Sequence, residues 1–336
     1  MCSARSTRIM CRRKASASPL RVPLLITEAI IMNDTAVPWE VRDLSHLRIV
    51  AAGCGREGLG EPQIRDAIVH LSRTSTPAVL YLGTATYDLP DPEAWQTGKF
   101  AEAGCTVTAL KLASCTPSDQ DLQDQFDRAD VIVASGGNTL FAVDRWVRLG
   151  VDRLMQQALQ RGAVLCGGSA GAICWFDGGH SDSMDPASYK TYVLGNPSPP
   201  LSDAERTGWD YIRVPGLGLL PGLCCPHHDQ TQSNGVLRAT DFDGMLLRHP
   251  GETGIAIDHF AALVIDGESY GVISIEGKTG SVDGKPGVRR KTAADGQVQA
   301  AIVPEAGNVR ELLSPADTIV EDPRLAAARA ANPDDL

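Results

Sequence analysis

A single serine lies in a run of small residues near the middle of the chain. The run, Gly167-Gly168-Ser169-Ala170-Gly171-Ala172, follows the apolar residues 163–166 and precedes the apolar residues 173–176. A G-x-S-x-G spacing between a strand and a helix is typical of a nucleophile elbow, where glycine tolerates the strained, crowded backbone. The sequence therefore predicts Ser169 as a nucleophile. The alternative is a tightly packed turn that does no chemistry.

A serine hydroxyl becomes a good nucleophile when a neighbouring base takes its proton. Among the seven histidines, His227 is the predicted base, because it follows an apolar segment and Pro226 at the start of a loop. His227-His228-Asp229 could also suggest a metal site, but no companion ligand stands at helical spacing, so no metal is expected. No cofactor is expected either.

The base needs a carboxylate that fixes its tautomer. Asp258, at the end of the predicted strand 254–257, is the expected third member of a Ser-His-Asp triad. Asp182 and Asp185, in the Asp/Ser/Pro-rich stretch after the elbow, remain alternatives for this role. Otherwise their charge suits contact with a substrate amine, and Asp182 is expected to bind substrate.

A second glycine turn, Ser135-Gly136-Gly137-Asn138-Thr139, lies between a buried strand and a helix. Its backbone N–H groups suit one half of an oxyanion hole, and the N–H of Ala170 suits the other half. An N–H of this turn and the N–H of Ala170 are the expected donors, and Thr139 is expected to contact substrate.

The elements that must position these residues alternate as in an α/β protein. Continuous Val/Ile/Leu runs at residues 47–52, 78–82 and 131–134 indicate a mostly parallel sheet flanked by helices. Ligands bind such sheets at the carboxyl ends of the strands, where both glycine turns fall. Residues 177–210 are expected to form a long loop, and the strands after residue 254 a strand-rich, antiparallel closing section.

Composition narrows the class of protein. The chain has 336 residues, 43% hydrophobic, with a formal net charge of −10, which argues against nucleic acid and anionic membranes as partners. Nine cysteines without C-x-x-C spacing indicate buried thiols in a reducing compartment, so a cytoplasmic location is expected. The expected partner is a small peptide substrate, and a homodimer is left open.

The first 31 residues carry six Lys/Arg and one Glu and lack the periodic apolar pattern of a packed element. They are expected to be a disordered or artefactual extension. A single catalytic domain is predicted over residues 44–310, followed by a C-terminal tail over 311–336.

Four segments, Ser135–Thr139, Gly167–Ala172, residues 226–229 and residues 254–258, resemble the peptidase E and cyanophycinase family of serine peptidases, in the family's order. The resemblance covers about residues 47–275 and implies a fold like the class I glutamine amidotransferases. It implies Ser169 as nucleophile, His227 as base, Gly137 and Ala170 as oxyanion donors, and Asn138 near the substrate.

The resemblance also shows two departures. Some family members carry a glutamate directly after the aspartate of the last segment, where this chain has His259. The aspartyl dipeptidases of the family have an aromatic residue where this chain has His228. The expected activity is hydrolysis of short peptides, including dipeptides with an N-terminal acidic residue.

Two other classes of protein remain open. An α/β-hydrolase esterase would use a histidine late in the chain, after its acid, and His249 and His259 are the candidates. The other class is a non-catalytic small-molecule binding protein that retains the pocket.

Overall fold

The computed structural model describes residues 38–195 and 200–331, so the predicted extension at residues 1–31 lies outside the described residues. The strands in this part are β1 (Arg48–Ala52), β2 (Ala78–Leu82), β3 (Thr106–Leu110), β4 (Val131–Ala134), β5 (Val164–Gly168), β6 (Phe176–Ser181), β7 (Ile212–Pro215), β8 (Leu220–Cys225), β9 (Gly254–Ile257), β10 (Ala261–Asp266), β11 (Ser269–Ser274), β12 (Val288–Ala294), β13 (Gln297–Ile302) and β14 (Ala306–Asn308).

The helices in the same part of the chain are α1 (Pro62–Leu71), α2 (Pro90–Glu102), α3 (Asp119–Asp127), α4 (Thr139–Leu149), α5 (Val151–Gln160), α6 (Ala170–Ile173), α7 (Lys190–Val193), α8 (Asp203–Thr207), α9 (Arg238–Arg248), α10 (Val309–Leu312) and α11 (Leu325–Ala331), with short 3-10 turns at Trp39–Val41, Thr84–Thr86 and Pro186–Ser188. None of these helices combines the length and the apolar character that a membrane span requires.

Two sheets organise these elements. The first has eight strands in the order β14-β11-β10-β1-β5-β4-β2-β3, and the second has six in the order β13-β12-β9-β8-β6-β7. In the first sheet β1, β5, β4, β2 and β3 run parallel, whereas β10, β11 and β14 extend it with antiparallel pairs. The expected α/β class is confirmed: a large, mostly parallel sheet with helices and a strand-rich closing section.

Alternate residues of the parallel strands enter two separate cores. On one face Ile49 and Leu165 pack in a cluster with residues of α4 and α5, and this cluster also takes in buried residues of the second sheet. On the other face Val50 and Cys166 pack with Ile64 of α1 and its neighbours. Because both faces are covered, the strands read as continuous apolar runs, which is the pattern from which the parallel sheet was predicted.

Two segments differ from their sequence-based interpretation. Residues 177–181 of the predicted long loop belong to the buried strand β6, which pairs with β7 and β8. Gly179 is required in this strand, since a Cβ there would lie 2.3 Å from the Cys224 carbonyl oxygen. The hairpin of β12 and β13 was not predicted at all, and it pairs with β9 in the second sheet.

The segment after residue 310 packs on the domain. Leu312, Leu325 and Ala328 belong to the largest buried cluster, and Arg329 of α11 forms an ion pair with Asp144 of α4. Six cysteines of the described part are buried free thiols, as the sequence predicted, whereas Cys115 is disulfide-bonded.

Asp177 in β6 links stability to pH. Its carboxylate accepts a hydrogen bond from the Gly222 N–H, but burial raises its pKa to about 6. Because the folded-state pKa lies above the unfolded value, the protonated carboxyl of Asp177 stabilises the fold. This stabilisation is complete below about pH 4 and is lost as the pH rises through 6.

We therefore expect Asp177→Asn to raise the Tm at pH 8 by about 2–4 °C, and by much less at pH 4, because the amide keeps the acceptor without the buried charge. Thermal melts at both pH values measure this. Asp317→Asn, on an exposed aspartate, is the control and should change neither melt. A destabilised Asp177→Asn protein at pH 8 would contradict the expectation.

Candidate active site

Ser169 occupies the turn between β5 and α6 with a left-handed backbone, φ 57° and ψ −121°. The crowding predicted for this turn is present, because a Cβ at Gly168 would lie 2.3 Å from the Cys54 carbonyl oxygen. At Gly171 it would lie 2.2 Å from the Ala134 carbonyl oxygen. Ser169 itself is only half-buried. The sequence folds here into a strained turn that holds one hydroxyl clear of the sheet.

The second glycine turn lies beside this elbow. A Cβ at Gly136 would be 3.4 Å from the Ser169 Cβ, and Gly137 has a φ of 119° that favours glycine. Within the described chain, the N–H groups of Gly137 and Ala170 donate to no other residue. Ala170 follows Ser169 in the chain and Gly137 follows the glycine that packs against it, and among the described residues both N–H groups remain able to donate to a ligand oxygen.

His227 reaches the same edge of the first sheet from the second sheet, directly after β8 and Pro226. Its N–H donates to the Gly53 carbonyl at 3.2 Å, and the Ser169 N–H donates to the Ala52 carbonyl at 3.2 Å. Ser169 and His227 are thus anchored on consecutive carbonyls at the end of β1. Burial, followed by the positive charges of Arg238 and His259, holds the pKa of His227 well below its usual value, so the ring is neutral as a base requires.

A chain of side chains runs outward from His227. Its Nδ1 is 2.8 Å from Nδ1 of His259, and the His259 Nε2 is 2.7 Å from Oε2 of Glu57, in the loop after β1. Burial disfavours the imidazolium of His259, but its contacts with Cys54 and then Glu57 outweigh this and raise its pKa to about 9. His259, at the position of the family's glutamate, therefore connects His227 to a carboxylate farther out.

Cys54 lies against the same pair of imidazoles. Burial opposes ionisation of the thiol, but the hydrogen bond and charge of His259 hold the pKa of Cys54 below its usual value. Its Sγ also accepts a hydrogen bond from the Glu57 N–H at 3.3 Å. The thiol, the two rings and the carboxylate thus form one contiguous group.

The expectation that Asp258 orients His227 is not met by this arrangement. Within the described residues, the Asp258 carboxylate contacts the other histidine, with Oδ1 3.2 Å from Nδ1 of His228. It also accepts hydrogen bonds from the Ser281 N–H, the Ser281 hydroxyl and the Gly287 N–H. Although burial opposes ionisation, these contacts lower the pKa of Asp258. Asp258 therefore joins His228 to the segment before β12.

The three expected substrate-binding side chains already have partners. Asn138 caps α4 by accepting the Phe141 N–H at 3.1 Å, and buried Thr139 accepts from the Ser181 hydroxyl at 3.3 Å. Asp182 forms an ion pair with the fully buried Arg238 at 3.2 Å. Among the three, only Asp182 is partly exposed.

Sequence reasoning missed Glu57 and Cys54, and considered His259 only as the base of an esterase. The position of residues 53–57 could have indicated them. These residues follow β1 at its carboxyl end, which is the edge of the sheet where the two glycine turns predict a ligand. His249, the other esterase candidate, is buried, with its Nδ1 3.0 Å from the Val320 carbonyl oxygen.

Known proteins resemble this chain over most of its length. A protein of Trypanosoma brucei brucei that bears the name G2/mitotic-specific cyclin-1 is 31% identical over 320 residues, covering 89% of this chain and 92% of that protein. The uncharacterized peptidase YgaJ of Bacillus subtilis (strain 168) is 29% identical over 185 residues, which cover 54% of this chain and 69% of the bacillar protein.

A solved peptidase from an acI-B1 Actinobacterium has a similar fold, with a TM-score of 0.51 at 14% identity over 79% of this chain and 98% of its own. The sequence model of peptidase family S51 matches residues 49–273, which include both glycine turns, His227 and Asp258. That match covers well over half of the chain and agrees with the family that its motifs resemble. The chain belongs to peptidase family S51, the peptidase E-like serine peptidases.

Proposed function

We propose that this protein hydrolyses short peptides with Ser169 as nucleophile and His227 as general base. The observation that carries the proposal is the shared anchorage of the two residues on the Ala52 and Gly53 carbonyls, beside two unpartnered N–H groups. A substrate carbonyl that lies over Ser169 can direct its oxygen to the N–H groups of Gly137 and Ala170. Such preorganised donors stabilise the tetrahedral oxyanion.

The orienting group in this proposal is His259 held by Glu57. Because the pKa of His259 is raised to about 9, its Nδ1 carries a proton at neutral pH, and the competent form is reached when that proton is lost. In this form His259 donates its Nε2 proton to Glu57 and accepts the Nδ1 proton of His227 on its own Nδ1. His227 Nε2 then carries a lone pair that can take the Ser169 proton and later return it to the leaving amine. A neutral imidazole thus holds the position that an acid holds in a Ser-His-Asp triad, and Glu57 supplies the negative charge one residue farther away.

The preferred substrate in this proposal is a dipeptide with an acidic N-terminal residue. The buried guanidinium of Arg238 donates to the Pro226 carbonyl at 3.1 Å, so a positive charge lies immediately behind the base. The carboxylates of Asp182 and Asp185 lie nearby, joined to Arg238 and Ser233 respectively, and suit a substrate ammonium. Positive and negative groups together match a zwitterionic peptide with an extra carboxylate.

Active-site labelling and a substrate panel test the proposal. We expect a fluorophosphonate to label Ser169 in a one-to-one ratio, identified by peptide mass mapping, and excess dipeptide to slow the labelling. On a panel that differs only in the first residue, kcat/KM should be highest for Asp or Glu and lowest for Lys. Absence of labelling would favour a non-catalytic binding protein, and equal rates across the panel would refute the acidic preference.

A further inference from the structure

Cys54, His227 and His259 present one ligand atom each to a common point. Their Sγ and ring nitrogen atoms all lie within 4.8 Å of one another, and this group was found among the described residues. Cys54 is 5% exposed and His227 8%, and the His259 side chain is 16% exposed. Thiolate and imidazole are the ligands that Zn²⁺ prefers in proteins.

The distances are close to those of a metal site. Zn–N bonds of about 2.0–2.1 Å and a Zn–S bond of about 2.3 Å in a tetrahedron place the ligand atoms roughly 3.3–3.6 Å apart. The two Nδ1 atoms, now 2.8 Å apart, must separate by about half an ångström, and the thiol must approach by at most about 1.3 Å. Rotation of the side chains can supply such shifts, and water completes a three-ligand site.

Glu57 provides an independent observation. A histidine that binds a metal through one nitrogen usually donates its other N–H to a carboxylate, which fixes the ring and strengthens the ligand. The Glu57 carboxylate lies 2.7 Å from the His259 Nε2, the nitrogen that faces away from the cluster. The cluster therefore has both the inner ligands and the outer carboxylate of a zinc site.

We propose that Cys54 Sγ, His227 Nδ1 and His259 Nδ1 bind one Zn²⁺, and that bound zinc reversibly inhibits the peptidase. The inhibitory role rests on the proposed function of His227. Zinc takes the place of the proton between the two Nδ1 atoms, which passes through solvent to Nε2 of His227, and binds the Cys54 sulfur, whose thiol proton is released to solvent. The neutral ring of His227, bound through Nδ1, then carries its proton on Nε2 and cannot accept one from Ser169.

Metal binding is tested on the full-length protein without reference to activity. After EDTA treatment and dialysis, titration with Zn²⁺ against a chromophoric chelator should give one tight site per chain. Co²⁺ in its place should give a thiolate-to-cobalt charge-transfer band in the near ultraviolet. Cys54→Ser should lose that band and bind zinc more weakly, whereas Cys105→Ser, which removes another buried free thiol, should behave as wild type.

Glu57→Gln is the second variant, since the Glu57 side chain is 56% exposed and its replacement leaves the core intact. We expect it to weaken zinc binding by roughly 10–100-fold. Less than one equivalent of zinc per wild-type chain, or a cobalt band that persists in Cys54→Ser, would overturn the site. The zinc titration and the cobalt band therefore test the metal site even if the protein hydrolyses no peptide.

Hydrolysis tests the inhibitory role. One equivalent of Zn²⁺ should abolish most of the wild-type kcat, and EDTA should restore it. At the same zinc concentration, Cys54→Ser should lose a much smaller fraction of its own zinc-free kcat than wild type does, which separates inhibition at this cluster from inhibition elsewhere. Zinc bound at the cluster with undiminished hydrolysis would refute the inhibitory role.

Discussion

Ser169→Ala is expected to lower kcat for peptide hydrolysis by a factor on the order of 10⁴ or more, with little change in KM. Alanine fits the elbow as well as serine does, because both carry a single Cβ at the same left-handed backbone angles. The fold should therefore survive while the attacking oxygen is lost. Steady-state kinetics on the purified variant, together with its thermal melt, measure the two effects separately.

Ser72→Ala is a suitable control, since that hydroxyl bonds the Val69 carbonyl at the end of α1 and lies outside the site. It should retain wild-type kcat. Undiminished hydrolysis by the Ser169→Ala protein would refute the serine mechanism. A variant that loses activity only together with its melting transition would show that the residue is structural.

The second large effect concerns the group that orients His227. His259→Ala should lower kcat by about 10²–10⁴-fold, since His227 then has no partner on Nδ1 and the wrong tautomer becomes accessible. His259→Glu should retain far more activity, because a carboxylate can accept the same Nδ1 proton directly. A rescue by glutamate but not by alanine is an outcome that a merely structural role for the ring would not produce.

Asp258→Asn is the matched comparison. Because its carboxylate accepts from Ser281 and Gly287 and contacts His228, we expect a lower Tm and a smaller change in kcat than for His259→Ala. All three variants are compared by kcat, KM and Tm under the same conditions. A collapsed kcat with normal Tm for Asp258→Asn, beside a nearly active His259→Ala protein, would show that Asp258 is the acid after all.

The features that depend on local sequence could be predicted. The elbow at Ser169 follows from glycine spacing, because its glycines allow a close approach of backbone from the loop after β1 and from β4. The turn at Gly137 and the loop histidine after Pro226 are likewise marked by residues within a few positions. In each case the residues that mark the feature lie in the same short segment as the feature itself.

The partner of each histidine could not be predicted, because it depends on residues far apart in the sequence. Asp258 faces His228 since donors 23 and 29 residues later hold its carboxylate, and Glu57 meets His259 across 202 residues. No periodicity relates such positions. Only the pairing of β1 with β10 brings the loop after one strand to the loop before the other.

The hairpin of β12 and β13 was missed although a signal was present. Its polar strands, with Arg289, Arg290 and Lys291 in sequence, lack the apolar runs by which the other strands were found. However, Asp295 and Gly296 both have positive φ, at 51° and 73°, as a two-residue hairpin turn of the Asp-Gly type requires. The Asp-Gly turn therefore predicts this pair of strands better than their apolar pattern does.

The proposed nucleophile and the proposed base follow strands of different sheets. Ser169 ends a strand of the eight-stranded sheet, and His227 follows a strand of the six-stranded one, with the bond from the His227 N–H to Gly53 joining them. The distance between the reacting atoms is therefore set by how one sheet is seated on the other, through the buried side chains that both share. In the proposed mechanism, catalytic competence depends on the inter-sheet packing, so we expect substitutions deep in that packing to alter turnover without touching any residue of the site.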